Sequence, residues 1–166
     1  MSTKEYKERI WPLRTQLYHV AYRVLGRQDL AEDAVQDVLI KAWEKREEWS
    51  HIESWKAWLL TLTRNRSIDM AKLKSHQTRD LDKAPEKVDK APDPYQLAER
   101  SDLMVRLEKI LKTLPLGQQA VFQLREFGQL TYEEIGQELG MTLSQVKVNL
   151  YRARQGLREK LQMISV

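Results

Sequence analysis

Six side chains toward the C-terminal end, Ser144, Lys147, Val148, Tyr151, Arg152 and Arg154, have the types and spacing to bind duplex DNA. At about 100° per residue, Ser144, Val148, Tyr151, Arg152 and Gln155 project from one side of a helix, with Lys147, Arg154 and Arg158 toward its flanks. Arginine bonds guanine in bidentate fashion or grips a phosphate. Lysine serves mainly phosphates, and the apolar bodies of Val148 and Tyr151 can meet a thymine methyl. The opposite face carries Val146, Leu150, Ala153 and Leu157, a stripe spaced to pack inward. A plain amphipathic helix with a solvated basic face would look the same, so the preceding elements decide between the readings.

Those elements spell a helix-turn-helix between Leu130 and Arg154. Thr131 with Glu134, and Thr142 with Gln145, have the spacing of capping boxes, in which hydroxyl and carboxylate or amide satisfy each other's end of a helix. Gly140 lies between them and can take the positive φ that ends a first helix and turns the chain. Ile135 and Leu139 give that first helix its inward face. Two capped helices about a glycine turn favour DNA binding over a merely solvated face.

A chain of 166 residues fits one domain or two small ones. All five tryptophans lie between Trp11 and Trp58, whereas Pro85, Pro92 and Pro94 crowd one polar stretch, so two separate cores are expected. The net charge is only +4, but its distribution is uneven. Asp29, Glu32, Asp33 and Asp37 are uninterrupted by a base, while Lys147 to Lys160 holds five bases against Glu159 alone. Patches of opposite sign imply different partners. The absence of cysteine removes disulfides, thiolate metal sites and thiol nucleophiles. No apolar run approaches the roughly 20 residues that span a bilayer, and the start, MSTKEYKERI, is charged, so a cytoplasmic protein is expected.

Helical spacing begins with Ile10, Leu13, Leu17, Ala21, Val24 and Leu25, broken or kinked early by Pro12 and ended by Gly26. Asp29 with Glu32 is expected to cap a second helix that buries Leu30, Ala34, Val35, Val38, Leu39, Ala42 and Trp43 and exposes an acidic ridge. A third helix starts at Ser54, with Trp58, Leu59, Leu62 and Ile68 inward and Arg64, Arg66, Lys72 and Lys74 at a basic end. From about Ser75 to Gln96 apolar periodicity vanishes, which predicts a flexible linker. Helical pattern resumes with Leu103, Leu107, Ile110, Leu111 and Leu114; Pro115 ends it before a helix holding Val121, Phe122 and Leu124. No stretch alternates like a strand, so the expected fold is all-α: two small helical domains, 1–75 and 97–166, joined by a linker, 76–96.

Both halves resemble the extracytoplasmic-function group of the sigma-70 family, the promoter-specificity subunits of bacterial RNA polymerase. AEDAVQDVLIKAWE followed by ESWKAWLLTLTRNRSID looks like the family's region two. LPLGQQAVFQLREFGQLTYEEIGQELG with VKVNLYRARQGLRE looks like region four. Order, spacing and the proline-containing linker make the match specific. The resemblance implies that the first domain binds clamp helices of the polymerase's largest subunit and captures the melted minus-ten element, and that the second reads the duplex minus-thirty-five element. It implies core RNA polymerase, promoter DNA and an anti-sigma factor, which can be membrane-anchored, as partners, and no cofactor.

Under that resemblance the ridge of Asp33, Gln36 and Asp37 becomes the polymerase-docking surface, a role that acidic groups suit better than phosphate binding. Melting requires something to hold an unpaired base, and aromatic faces near positive charge do so at roughly 1 to 3 kcal/mol per stacked base. Trp49 and Trp55 flank the segment that matches the family's base-capturing loop. The single-strand site is therefore expected over Trp49 to Ser54, including His51, with Arg64, Asn65 and Arg66 from the third helix. Trp55 and Trp58 can equally be core residues, and Trp58's place in the apolar stripe favours burial. Lys147, Val148, Tyr151 and Arg152 match the family's duplex contacts, whereas Val148 and Asn149 stand where a small hydroxyl residue and a base are frequent.

Catalysis finds little support: no glycine-rich phosphate loop is present, His19, His51 and His76 are scattered, and Glu133 and Glu134 sit at an exposed helix start. A two-domain helix-turn-helix regulator acting without core polymerase is the alternative. It would usually carry an α/β sensor half, and the first half shows no strand pattern.

Overall fold

A computed structural model describes residues 2–81 and 102–164, all of whose regular elements are helical. The expected linker lies mostly outside them. The first half comprises α1 (Thr3–Arg9), α2 (Arg14–Leu25), α3 (Gln28–Glu44) and α4 (Trp55–Leu81). The second comprises α5 (Asp102–Leu111), α6 (Leu116–Phe122), α7 (Tyr132–Leu139) and α8 (Leu143–Ile164). Short 3-10 turns at Trp11–Leu13 and Arg46–His51 and a π turn at Gln123–Phe127 complete the described chain. Among the described residues no helix is long and apolar enough to cross a membrane.

Local chemistry explains the breaks. Pro12 sits in the 3-10 turn between α1 and α2, as expected of a residue without an amide hydrogen. Gly26 ends α2 with a φ of 68°. The start of α3 differs from expectation: it begins at Gln28 after an extended Arg27, with no side-chain cap. Asp29 is drawn instead into a two-bonded pair with Arg27 at 2.7 and 3.1 Å, so it serves the first turn as a charge and not as a cap. Desolvation works against that charge, but the bonds to Arg27 and the backbone outweigh it and lower the carboxyl pKa. Ser54 caps α4 by accepting from the Ala57 amide at 3.2 Å. No proline or glycine interrupts residues 55–81, and α4 runs on to Leu81, beyond the expected domain end at 75.

In the first half α2 packs on both α3 and α4, which also pack on each other. Inside α4, Thr61, Thr63 and Ser67 are buried and donate to the carbonyls of Ala57, Leu59 and Thr63 at 2.7–2.8 Å, so these inward hydroxyls are satisfied within the helix. In the second half α5, α6 and α7 each pack on α8.

The two halves share one core. Buried side chains from Ile10 through Leu60 and from Ile110 through Leu157 form a single cluster, contrary to the expectation of two separate ones. Contacts run from α2 and α4 to the π turn, and from α4 to α7. A Cβ on Gly128 would lie 3.5 Å from the Leu60 side chain and 2.8 Å from the Leu124 carbonyl, so the backbone of the second half lies close against the first.

Candidate nucleic-acid interface

The helix-turn-helix forms as its sequence dictates. Thr131 Oγ accepts from the Glu134 amide at 3.1 Å, and the Glu134 carboxylate accepts from the Thr131 amide at 3.0 Å. Thr142 and Gln145 repeat the exchange at 3.1 and 2.9 Å. Gly140 ends α7 with a φ of 66°. Gly136 was not anticipated as a requirement of the turn: a Cβ there would lie 2.7 Å from the carbonyl oxygen of Met141. Arg125 donates to the Leu130 carbonyl at 2.8 Å and lies 4.8 Å over the Tyr132 ring, fixing the entry to α7.

On α8 the stripe Val146, Leu150, Ala153 and Leu157 is buried, and Ser144, Lys147, Val148, Tyr151 and Arg152 are exposed on the other side. Tyr151 is 63% exposed and Val148 44%, so two apolar surfaces are offered outward on one face. Gln155 donates to the Tyr151 hydroxyl at 2.9 Å and orients the ring. Arg154 is exposed but engaged, paired with Glu126 at 2.5 Å, and the bond to Glu126 raises its pKa. Asn149 is turned to the protein: its amide donates to the Gln145 carbonyl at 2.8 Å and approaches the Met141 sulfur at 3.8 Å.

The expected single-strand residues divide in this conformation. His51 and Asn65 are exposed, whereas Trp49 is only 4% exposed, its ring 5.9 Å from Tyr6 and 4.3 Å from Trp55. Trp49 is thus the anchor of its loop, and a base could not stack on it without displacing this cluster. Ser54 is spent on the α4 cap and on donating to Glu134 of α7 at 2.7 Å. Beside it Gln137 donates to Glu53 at 2.5 Å. Arg64 is 7% exposed, donating to the Gln123 side chain at 2.5 Å and the Asn65 side chain at 3.3 Å. Burial pushes its guanidinium down to about 10, which leaves it charged at neutral pH among amide acceptors. Arg66 is paired with Asp37 at 3.1 Å, so an expected strand contact and an expected docking residue hold one another. A pocket of about 280 Å³ opens between Lys45, Glu48, His51, Ile52 and Trp58. Lys45 reaches this pocket from the end of α3 and Trp58 from the first turn of α4.

Asp33, Gln36 and Asp37 are all exposed along α3, whose other side buries Ala31, Ala34, Val35, Val38, Leu39 and Ala42. The ridge therefore stands clear of the core.

Residues 12–77 match the family profile Sigma-70 region 2, and residues 104–157 match Sigma-70, region 4. The ECF RNA polymerase sigma factor RpoE of Cereibacter sphaeroides is 31% identical over 133 residues, covering 79% of this chain and 72% of that relative. The ECF sigma factor SigE of Mycolicibacterium smegmatis is 32% identical over 149 residues, 87% of this chain, although the chain spans only 57% of that protein. Among solved structures, the sigma factor RpoE in complex with the anti-sigma factor NepR from Bartonella quintana superposes with a TM-score of 0.70 at 28% identity, covering 96% of this chain and 98% of that one. CnrH in complex with the cytosolic domain of CnrY shares the fold, with a TM-score of 0.72 at 18% identity over 98% and 90% of the two chains. The chain belongs to the extracytoplasmic-function RNA polymerase sigma factors of the sigma-70 family.

Proposed function

We propose that this sigma factor docks on core RNA polymerase through the Asp33, Gln36 and Asp37 ridge of α3, reads a duplex minus-thirty-five element with α8, and captures an unpaired minus-ten strand near the 3-10 turn and the start of α4. The observation that carries the reading is the recognition face of α8. Ser144, Lys147, Val148, Tyr151 and Arg152 stand exposed together, on a helix whose opposite stripe is sealed in the core. Lys147 and Arg152 supply phosphate or guanine contacts, and Val148 with Tyr151 supplies apolar contact to thymine. Arg154 joins them only by leaving Glu126, and Asn149 is kept from DNA by its bond to the Gln145 carbonyl of its own helix.

Strand capture asks more of the molecule. His51, Asn65 and the pocket beside Lys45 and Trp58 are open to a base, but Ser54 and Arg64 are occupied by the second half. A phosphate is a stronger acceptor for a guanidinium than the Gln123 amide, so parting of the halves on the polymerase would exchange one partner for the other. The Bartonella relative is seen in complex with an anti-sigma factor; such a partner of this chain, working in the cytoplasm, would act by opposing that separation. Replacing Arg152 by alanine tests the duplex assignment. Binding to the minus-thirty-five duplex should weaken, with the slope of log affinity against log salt falling by about 1. An unchanged slope removes Arg152 from the interface.

A further inference from the structure

Tyr151 and Gln155 form a pair on the outward side of α8. The Gln155 side-chain amide donates to the Tyr151 hydroxyl at 2.9 Å, across the four-residue spacing that makes side chains neighbours on a helix. Tyr151 is 63% exposed, whereas Gln155 is half-buried one turn further on. Side chains on a helix lean toward its N-terminus, so the glutamine reaches back to the phenol and the phenol leans toward exposed Val148. Neighbouring polar side chains of α8 turn their bonds to the protein itself: Gln145 accepts from the Thr142 amide, Asn149 donates to the Gln145 carbonyl, and Arg154 pairs with Glu126. Gln155 turns its amide to a residue of the recognition face.

The direction of that bond decides what Tyr151 can offer. A phenolic oxygen carries one hydrogen and two lone pairs. Accepting from the amide occupies a lone pair and leaves the hydrogen free. Conjugation keeps that hydrogen in the ring plane, on one side of the oxygen or the other, and the amide N–H repels it from its own side. We infer that Gln155 is a positioning residue for duplex reading, which fixes the Tyr151 hydroxyl as a hydrogen-bond donor aimed at the duplex. Tyr151 then requires an acceptor at one place in the minus-thirty-five element, a phosphate oxygen or a purine N7, in addition to offering its ring to a thymine methyl. This rests on the reading of α8 as the duplex-reading helix. Holding the ring before DNA arrives lowers the ordering cost of binding, and exclusion of water by the duplex strengthens both bonds of the chain from amide to hydroxyl to acceptor. A glutamate in place of Gln155 would take the hydroxyl hydrogen for itself and set a negative charge near the phosphates.

The test is affinity of the full chain for the duplex it selects from a randomised pool, with circular dichroism confirming that each variant is folded. Tyr151→Phe deletes the hydroxyl and keeps the ring, and should weaken binding about two- to ten-fold, the size expected of one hydrogen bond. Gln155→Ala should lose part of that factor in the parent and nothing further in Tyr151→Phe, and Gln155→Glu should lose more than Gln155→Ala. Single methylphosphonate linkages and single purines with carbon in place of N7 separate the two acceptors. The replacement that removes the partner of Tyr151 should weaken the parent and leave Tyr151→Phe unchanged. If Tyr151→Phe binds like the parent while Arg152→Ala binds more weakly, the proposal is overturned and Tyr151 is an apolar contact only. A loss from Gln155→Ala that is the same with and without the hydroxyl also overturns it, since the glutamine then acts on its own. If Tyr151→Phe and Arg152→Ala both bind like the parent, the duplex reading of α8 falls and takes the proposal with it.

Discussion

Glu134 serves two bonds that lie in different parts of the chain: it closes the capping box with Thr131 and accepts the Ser54 hydroxyl at 2.7 Å. Desolvation raises its pKa, but the bonds to the Thr131 backbone, Ser54 and the Thr131 hydroxyl, with the charge of Lys56, outweigh it and leave the value below the ordinary 4.5. A carboxyl whose folded pKa is depressed contributes stability above its unfolded value and loses it as pH falls through the folded one. Urea midpoints of the parent and Glu134→Gln should therefore differ at neutral pH and converge as the pH falls below the ordinary 4.5 and through the lower folded value; a gap that persists in strong acid would show that charge is not its source. The capping role was legible, because threonine and glutamate three apart before an apolar run have few other uses. The bond to Ser54 was not, since the two residues are 80 apart and nothing local marks the pairing.

At the scale of elements, the turn of the helix-turn-helix rests on two glycines for different reasons. Gly140 holds a φ of 66° with open space around it, a backbone demand that the sequence announces by placing glycine after a helical stripe. Gly136 sits inside α7 with ordinary helical backbone, and its need arises only where the Met141 carbonyl crosses it. Gly140→Ala should cost about 1–2 kcal/mol from left-handed strain, and Gly136→Ala about 1–3 kcal/mol from overpacking, both read by urea unfolding. A Gly136→Ala variant as stable as the parent would contradict the close approach. On α3, Asp37→Lys should weaken assembly with core polymerase while moving the melting temperature little, because the exposed pair with Arg66 is worth at most about 1 kcal/mol. Intact assembly would sink the ridge assignment. The helices and their inward faces were readable from periodicity. The pairing of Asp37 with Arg66 was not, for it depends on the crossing of α3 and α4.

For the whole molecule, the tryptophan and proline distributions pointed to two cores, yet Leu60, Leu124 and their neighbours belong to one buried cluster. Periodicity identifies which face of a helix is apolar but not which helix covers it, and α4 carries enough apolar and small polar surface to meet both halves. The arrangement leaves the α8 face open, buries Arg64 and ties Ser54 to Glu134, so under the proposed assignment duplex reading is more available than strand capture in the isolated chain. Gln123→Ala removes an acceptor from buried Arg64 and should raise affinity for a single-stranded minus-ten oligonucleotide several-fold, as the competent fraction grows; unchanged affinity would mean that the packing of the halves does not limit the site. The central claim is that this chain directs promoter-specific initiation. Purified core polymerase transcribing fragmented genomic DNA with and without the chain tests it most directly, by mapping the 5′ ends of the transcripts. The chain should create start sites that share paired upstream elements and that vanish with Asp37→Lys or Arg152→Ala. Tight DNA binding with no new start sites would contradict the account.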